Sequence, residues 1–420
     1  MARTSSTRRD LFRAFGITTT AAAAGASLSA ACGEPGGSTG ATGNAGTAGT
    51  AAQPAGSPAA SGGPEVKTLR VGYLPITDAT PLLLAHAQGL YTAEGLEPAQ
   101  PTRFRGWSQI AEAFQARQVD VVHLLMPTVV WMRFAQSFPV KLVAWNHTDG
   151  SALTVANNVE SLDDFAGTTV AIPFWYSIHN TVLQLLFRKA GLTPLAQGEP
   201  SAANKTVKLV VMAPSDMVPA LANGSIAGYI VADPFNAMAE VQQIGRILRF
   251  TGDAWLNHAC CVVIMHEDDT QKRPRWAQAV INAVAKAQLF ARDNRKETAR
   301  ILSTQGGGYL PQALPAIERA LAYYDQAEYG PSGAVQHPDW PNSRIGFQPF
   351  PFRSYTEELV RQLRDTVVDG DNAFLKALDP AMAHSTLIDD RFARAAITAA
   401  GGPAKFGIPA DLTRTERLAP

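Results

Sequence analysis

The stretch Val71-Gly72-Tyr73-Leu74-Pro75-Ile76-Thr77-Asp78-Ala79-Thr80-Pro81-Leu82-Leu83-Leu84-Ala85-His86-Ala87-Gln88-Gly89 decides the fold. Its first part is a short apolar and aromatic run that breaks at Pro75, as a buried strand breaks at a turn. From Ala79 onward Leu82, Leu83, Ala85 and His86 share one helical face, and Gly89 stops the helix. The unit then repeats. Residues 96–98 start a second strand, and residues 107–117 form a helix with Ile110, Ala113 and Phe114 at helical spacing. Residues 119–125 read as a buried strand, Pro127 opens a helix, and residues 140–145 make another strand. This β-α-β-α-β-α-β alternation predicts an α/β fold with a doubly wound, mostly parallel sheet.

A second set of elements follows. Residues 153–155 read as a strand, Ser161 caps a short helix ending at Gly167, and residues 169–172 form a strand. That strand leads into Phe174-Trp175-Tyr176-Ser177-Ile178-His179-Asn180 and a helix over 180–191. Strands at 207–211 and 228–232 flank a helix at 215–224, and 260–265 is an apolar strand. The rest is mainly helical, over 276–293, 295–303, 314–323 and 355–365. Two α/β units in series predict two lobes with a ligand cleft beyond the carboxyl ends of the strands. The expected divisions are 65–152 for the first part of lobe 1, 153–260 for lobe 2, and 261–420 for the rest of lobe 1 with C-terminal helices.

Composition bounds the alternatives. The 420 residues hold 36 Lys+Arg and 36 Asp+Glu, and 46% are hydrophobic. The zero net charge excludes a strongly basic nucleic-acid binder, and the apolar content excludes a wholly disordered chain. Residues 1–31 read as an export signal, with Arg8-Arg9 followed by an uncharged, Ala-rich stretch from Ala14. The arginine pair resembles the twin-arginine type. Cys32, closing Ser29-Ala30-Ala31-Cys32, resembles a lipoprotein cysteine that is acylated at its thiol. Residues 33–64 are almost entirely Gly, Ala, Ser, Thr and Pro, so 32–64 reads as a flexible tether. Losing residues 1–31 removes four arginines and Asp10, which leaves a net charge of −3. The expected place is the outer face of the cytoplasmic membrane, reached through a lipid anchor only.

Several segments in this order resemble the nitrate/sulfonate/bicarbonate (taurine) type of ABC-importer substrate-binding protein. They are 71–79, 85–96, Gly106-Trp107, 119–123, 173–180 and 228–236. The resemblance covers roughly residues 67–300 and implies a type II-like periplasmic-binding-protein fold of two lobes. It also implies capture of a small anionic or aromatic organic solute by domain closure, with delivery to ABC permease subunits. No catalysis, cofactor or metal is expected. The alternatives are a thiamine-pyrimidine-precursor binding or synthase-like protein, and a sensing module.

The candidate ligand residues lie at strand ends. Pro75, Thr77 and Asp78 follow the first strand, Met126 follows the strand at 119–125, and Asn146 and His147 follow residues 140–145. Trp107 opens a helix whose free N–H groups favour a negative ligand atom. Trp175, Tyr176, Ser177 and His179 follow residues 169–172, with Ser177 as a helix cap and the two rings making the pocket aromatic. Asp233-Pro234-Phe235-Asn236 ends another strand, with Asn236 as a candidate helix cap and Asp233 for the hinge or ligand. Cys260 and Cys261 are the only other cysteines. Three readings stay open for them: two buried thiols, a vicinal disulfide, or a soft-metal site of His258, Cys260 and His266. Alternation along a strand is expected to send the two thiols to opposite faces, so that they do not share one metal. Nitrate-binding members carry a basic residue near Cys261, so the resemblance implies a larger or less charged solute here.

Overall fold

A computed structural model of the chain describes residues 62–420. The export signal, Cys32 and most of the tether therefore lie outside the described residues. The described residues form one compact unit.

Two sheets organise it. The first uses β1 (Val71–Tyr73), β2 (Thr102–Arg103), β3 (Val121–Leu125) and β4 (Val140–Trp145). The second uses β5 (Ser151–Ala156), β6 (Thr169–Ile172), β7 (Thr193–Leu195), β8 (Thr206–Val211), β9 (Gly228–Ala232) and β10 (Gly245–Phe250). The chain then returns to the first sheet as β11 (Cys261–His266). The strand orders are β2-β1-β3-β11-β4 and β7-β8-β6-β9-β5-β10. The doubly wound, mostly parallel sheets expected from the alternation are thus present, in the two-sheet arrangement the resemblance implies, with one difference in direction. β11 runs antiparallel to both β3 and β4, and β5 runs antiparallel to both β9 and β10. These two strands carry the chain between the sheets, so each enters its sheet from the end at which the parallel strands finish.

Helices cover the sheets. α1 (Thr80–Ala87), α2 (Trp107–Gln115) and α3 (Met126–Phe134) follow β1, β2 and β3. α4 (Ile178–Lys189), α5 (Pro214–Ala222) and α6 (Phe235–Val241) follow β6, β8 and β9. α7 (Pro274–Asp293) packs on α1, with Pro274 in its first turn. Gly89 stops α1 at φ 67°, a conformation that glycine adopts without Cβ strain. Ser161 and Asp164 form a reciprocal capping box before β6. The largest fully buried side chains include Trp145, Trp255 and Trp276.

β10 is absent from the sequence reading because Arg246 and Arg249 interrupt its apolar run. It pairs along β5 at its Gly245 end so closely that a Cβ there would collide with the Val155 carbonyl oxygen and sit 2.8 Å from Leu221 Cδ2. Gly245→Ala is therefore expected to destabilise the chain by about 1–3 kcal/mol, read as a lower urea midpoint at unchanged m-value.

Candidate functional site

The carboxyl ends of β1, β4, β6 and β9 meet the start of β5 and the start of β11. Antiparallel β5 and β11 begin where their parallel neighbours end, so loops from both sheets face each other. The two sides touch directly. Thr77 donates from its backbone N–H and its Oγ1 to the Asp233 carbonyl (2.9 and 2.8 Å). The Asp233 N–H in turn donates to the Gly150 carbonyl at 2.9 Å.

Beneath this seam lies a buried polar cluster. Asp78, Asn146, His147, Ser151, His179, Cys260 and Cys261 are all at most 1% exposed. Asp78 Oδ2 lies 3.0 Å from His147 Nε2, 3.4 Å from Cys260 Sγ and 3.3 Å from Cys261 Sγ. Asn146 Nδ2 donates to the Asp78 carbonyl. His179 Nε2 lies 2.9 Å from Ser151 Oγ and 3.8 Å from Cys260 Sγ, so α4 brings the second sheet's side to the cluster. The Met126 N–H donates to the Cys260 carbonyl at 3.1 Å.

The electrostatics follow from burial and proximity. Burial pushes the Asp78 carboxyl up to about 6, against the pull of His147. Burial alone would lower His147, but Asp78 and Cys260 beside it hold the ring up at about 10. His123, beneath Trp107, is driven down to about 3 by burial and by His147. Its neutral Nε2 accepts the Leu74 N–H at 3.0 Å. Asp78 Oδ1, Asn146 Oδ1, His147 Nδ1, His179 Nδ1 and Trp107 Nε1 are buried without a hydrogen-bond partner. Buried polar atoms are normally paired, so these atoms make the seam the candidate site.

A cleft of about 320 Å³ is lined by Arg105, Gly106, Trp107 and Gln109 on one side. Pro173, Phe174, Val211 and Pro214 line the other. Trp107 is 3% exposed and sits edge-on to His123, with ring centroids 5.7 Å apart. A neighbouring cavity of about 270 Å³ is lined by Pro75, Arg103, Phe104 and Phe235.

The expected residues divide. Thr77, Asp78, Met126, Asn146, His147, His179 and Cys260 come together at the seam, and Trp107 and Pro75 border the adjoining cavities. Tyr176 packs elsewhere: its ring stacks on Trp131 at 5.6 Å and its hydroxyl donates to the Asp371 carbonyl at 3.1 Å. The expected aromatic lining of Trp175 and Tyr176 is thereby corrected, because the C-terminal segment covers Tyr176. Phe174 supplies the ring at the cleft instead. Trp175 is half-buried and gives its carbonyl to Asn180 Nδ2. Ser177 caps α4 by accepting the Asn180 N–H at 3.0 Å. Ser177→Ala is expected to lower stability by about 0.5–2 kcal/mol, measured by thermal unfolding.

Asn236 is not a cap. It lies inside α6, where its Oδ1 accepts from Thr154 and its Nδ2 donates to the Val231 carbonyl, both at 2.8 Å. Asp233 takes the capping part by accepting the Ala237 N–H at 3.1 Å. Its carboxylate is also bound by Arg344 at 2.6 and 3.2 Å, so it serves the frame. The expected separation of the two thiols also fails. Cys260 precedes β11, where strand alternation has not begun, and both sulfurs reach Asp78. Both thiols are free. His258 pairs with Thr251 and His266 with the Phe114 carbonyl, so the trio of His258, Cys260 and His266 does not assemble. Sequence reasoning missed Ser151 and Arg344, and weighed Cys261 as a thiol without placing it at the ligand site. Neither Ser151 nor Arg344 carried a local signal.

Residues 62–303, more than half of the chain, match the NMT1-like family. The chain belongs to the NMT1-like family. The nitrate/nitrite binding protein NrtA of Nostoc sp. strain PCC 7120 is 25% identical over 341 residues, covering 75% of this chain and 74% of that protein. The crystal structure of the periplasmic nitrate-binding protein NrtA from Synechocystis PCC 6803 superposes with a TM-score of 0.68 at 19% identity. That match covers 84% of this chain and 94% of NrtA. The alkanesulfonate-binding protein SsuA from Xanthomonas axonopodis pv. citri, solved with MOPS, gives 0.58 at 14% identity, covering 78% and 99%. These structures share the periplasmic-binding-protein fold with this NMT1-like chain.

Proposed function

We propose that this NMT1-like chain is the extracytoplasmic solute-binding component of an ABC importer, anchored by a lipid at Cys32. It captures a small organic solute between its two sheets by closure and hands it to permease subunits. One observation carries the reading: polar side chains from the strand ends of both sheets converge, with unpartnered atoms, on one buried seam. Family membership and the likeness to nitrate- and sulfonate-binding proteins agree with it. Closure needs ligand contacts on both sides of a cleft, and His147 and His179 stand on opposite sides.

The seam also bears on the solute. Among the described residues, no Lys or Arg bonds to the side chain of Asp78, His147, His179 or Cys260. Arg344, the nearby buried guanidinium, is taken by Asp233 and Glu240. A small inorganic anion would meet the His147 and His179 rings and the Asp78 carboxylate, with no Lys or Arg among the described residues bonded there to balance its charge. An organic solute, with a polar end at the cluster and an apolar part against Trp107 and Phe174, fits this chemistry better. Native mass spectrometry of the exported chain tests the proposal. It should show one small solute per chain, released on unfolding. A chain that carries none, and binds none when exposed to cell extract, contradicts it.

A further inference from the structure

We infer that Asp78, His147, Cys260 and Cys261 form a four-ligand zinc site at the seam. Their donor atoms all lie within 4.8 Å of one another, and all four residues are buried. Zinc holds sulfur at about 2.3 Å and nitrogen or oxygen at about 2.0–2.2 Å. A tetrahedron with those bonds has edges of roughly 3.3–3.8 Å. Three of the six edges, all at Asp78 Oδ2, are 3.0 Å to His147 Nε2 and 3.4 and 3.3 Å to the two sulfurs, and the other three lie within 4.8 Å. The carboxylate oxygen is thus near coordination spacing from the other three donors, which need to close by at most about 1 Å among themselves.

The donor set selects the ion. Two thiolates exclude magnesium and calcium, which take oxygen ligands. A carboxylate and an imidazole beside them disfavour the all-sulfur environment of cuprous copper, and tetrahedral sulfur, nitrogen and oxygen ligation suits zinc. Asp78 Oδ1 is buried without a partner, so the carboxylate has unused coordinating capacity. Four protein ligands leave no open position, which marks a site that holds structure.

Such an ion has a clear mechanical effect. Asp78 follows β1, His147 follows β4, and the cysteines lead into β11. Zinc therefore staples three loops of one sheet directly beneath His179 of the other. It would fix that half of the seam before any solute arrives.

Cobalt titration of the metal-free mature chain tests the site. One equivalent should give intense tetrahedral visible bands and a thiolate charge-transfer band, and zinc should abolish both. Cys260→Ser/Cys261→Ser should lose these bands, while His258→Gln and His266→Gln keep them. Zinc-edge X-ray absorption on the unmutated chain does not depend on the double variant folding. Two sulfur scatterers near 2.3 Å are expected there. An octahedral cobalt spectrum, bands that survive the double variant, or a zinc shell without sulfur overturns the site. Solute binding is measured separately on the zinc-free chain. A chain with the cobalt bands but no solute binding overturns the receptor reading alone, and the reverse outcome overturns the zinc site alone.

Discussion

Replacing Arg344 by methionine should destabilise the chain by about 3–5 kcal/mol, the usual cost of stranding a buried charge. The guanidinium side chain is 1% exposed and bridges Asp233 (2.6 and 3.2 Å) and Glu240 (3.0 Å). Arg319 and the Tyr329 hydroxyl complete the bonds to Glu240, at 3.0 and 2.7 Å. Methionine keeps the volume but leaves two buried carboxylates facing each other. Urea denaturation at neutral pH reads the loss. The same network makes a pH prediction. Burial pushes the Glu240 carboxyl up, but Arg344, Arg319 and Tyr329 more than offset this and hold it below its ordinary value. A depressed folded-state pKa contributes stability above the unfolded-state value, and this is lost as pH falls through the folded-state value. Glu240→Gln should therefore show less stability loss across that acid window than the unmutated chain. Equal acid sensitivity would show that Glu240 contributes nothing.

His179→Ala should weaken solute binding by about 10- to 150-fold, equivalent to roughly 1.5–3 kcal/mol for a hydrogen bond to a charged group. The ring is fully buried at the start of α4, held by Ser151 Oγ at 2.9 Å, with Nδ1 unpartnered. Ser177 fixes its position by capping that helix. The loss should appear in Kd while the unfolding midpoint moves far less than with Arg344→Met. An unchanged Kd would place the solute away from the seam.

The fold was readable because its signals are local. The break at Pro75, the stop at Gly89 and the buried run at 121–125 each follow from a few adjacent residues. The alternation they create carries the doubly wound architecture. Much of the seam was readable too, since strand-end loops are where open α/β sheets bind. Asp78, His147 and His179 were reachable on that ground. What could not be read depends on distant partners. Arg344 meets Asp233 across 111 positions, and Tyr176 is claimed by Asp371 across 195. No local pattern announces either. The thiols illustrate a subtler loss: alternation governs β11 only from Cys261, so one residue of strand boundary decides that both sulfurs meet Asp78.

Isothermal titration calorimetry on the purified protein tests the central claim most directly. The titrants are nitrate, bicarbonate, alkanesulfonates, taurine, aromatic acids and pyrimidines, run in parallel on His179→Ala. The account predicts that one organic member binds once per chain, more tightly than nitrate or bicarbonate, and that the variant loses this affinity. Binding that is indifferent to His179, or no binding by any titrant, would contradict it.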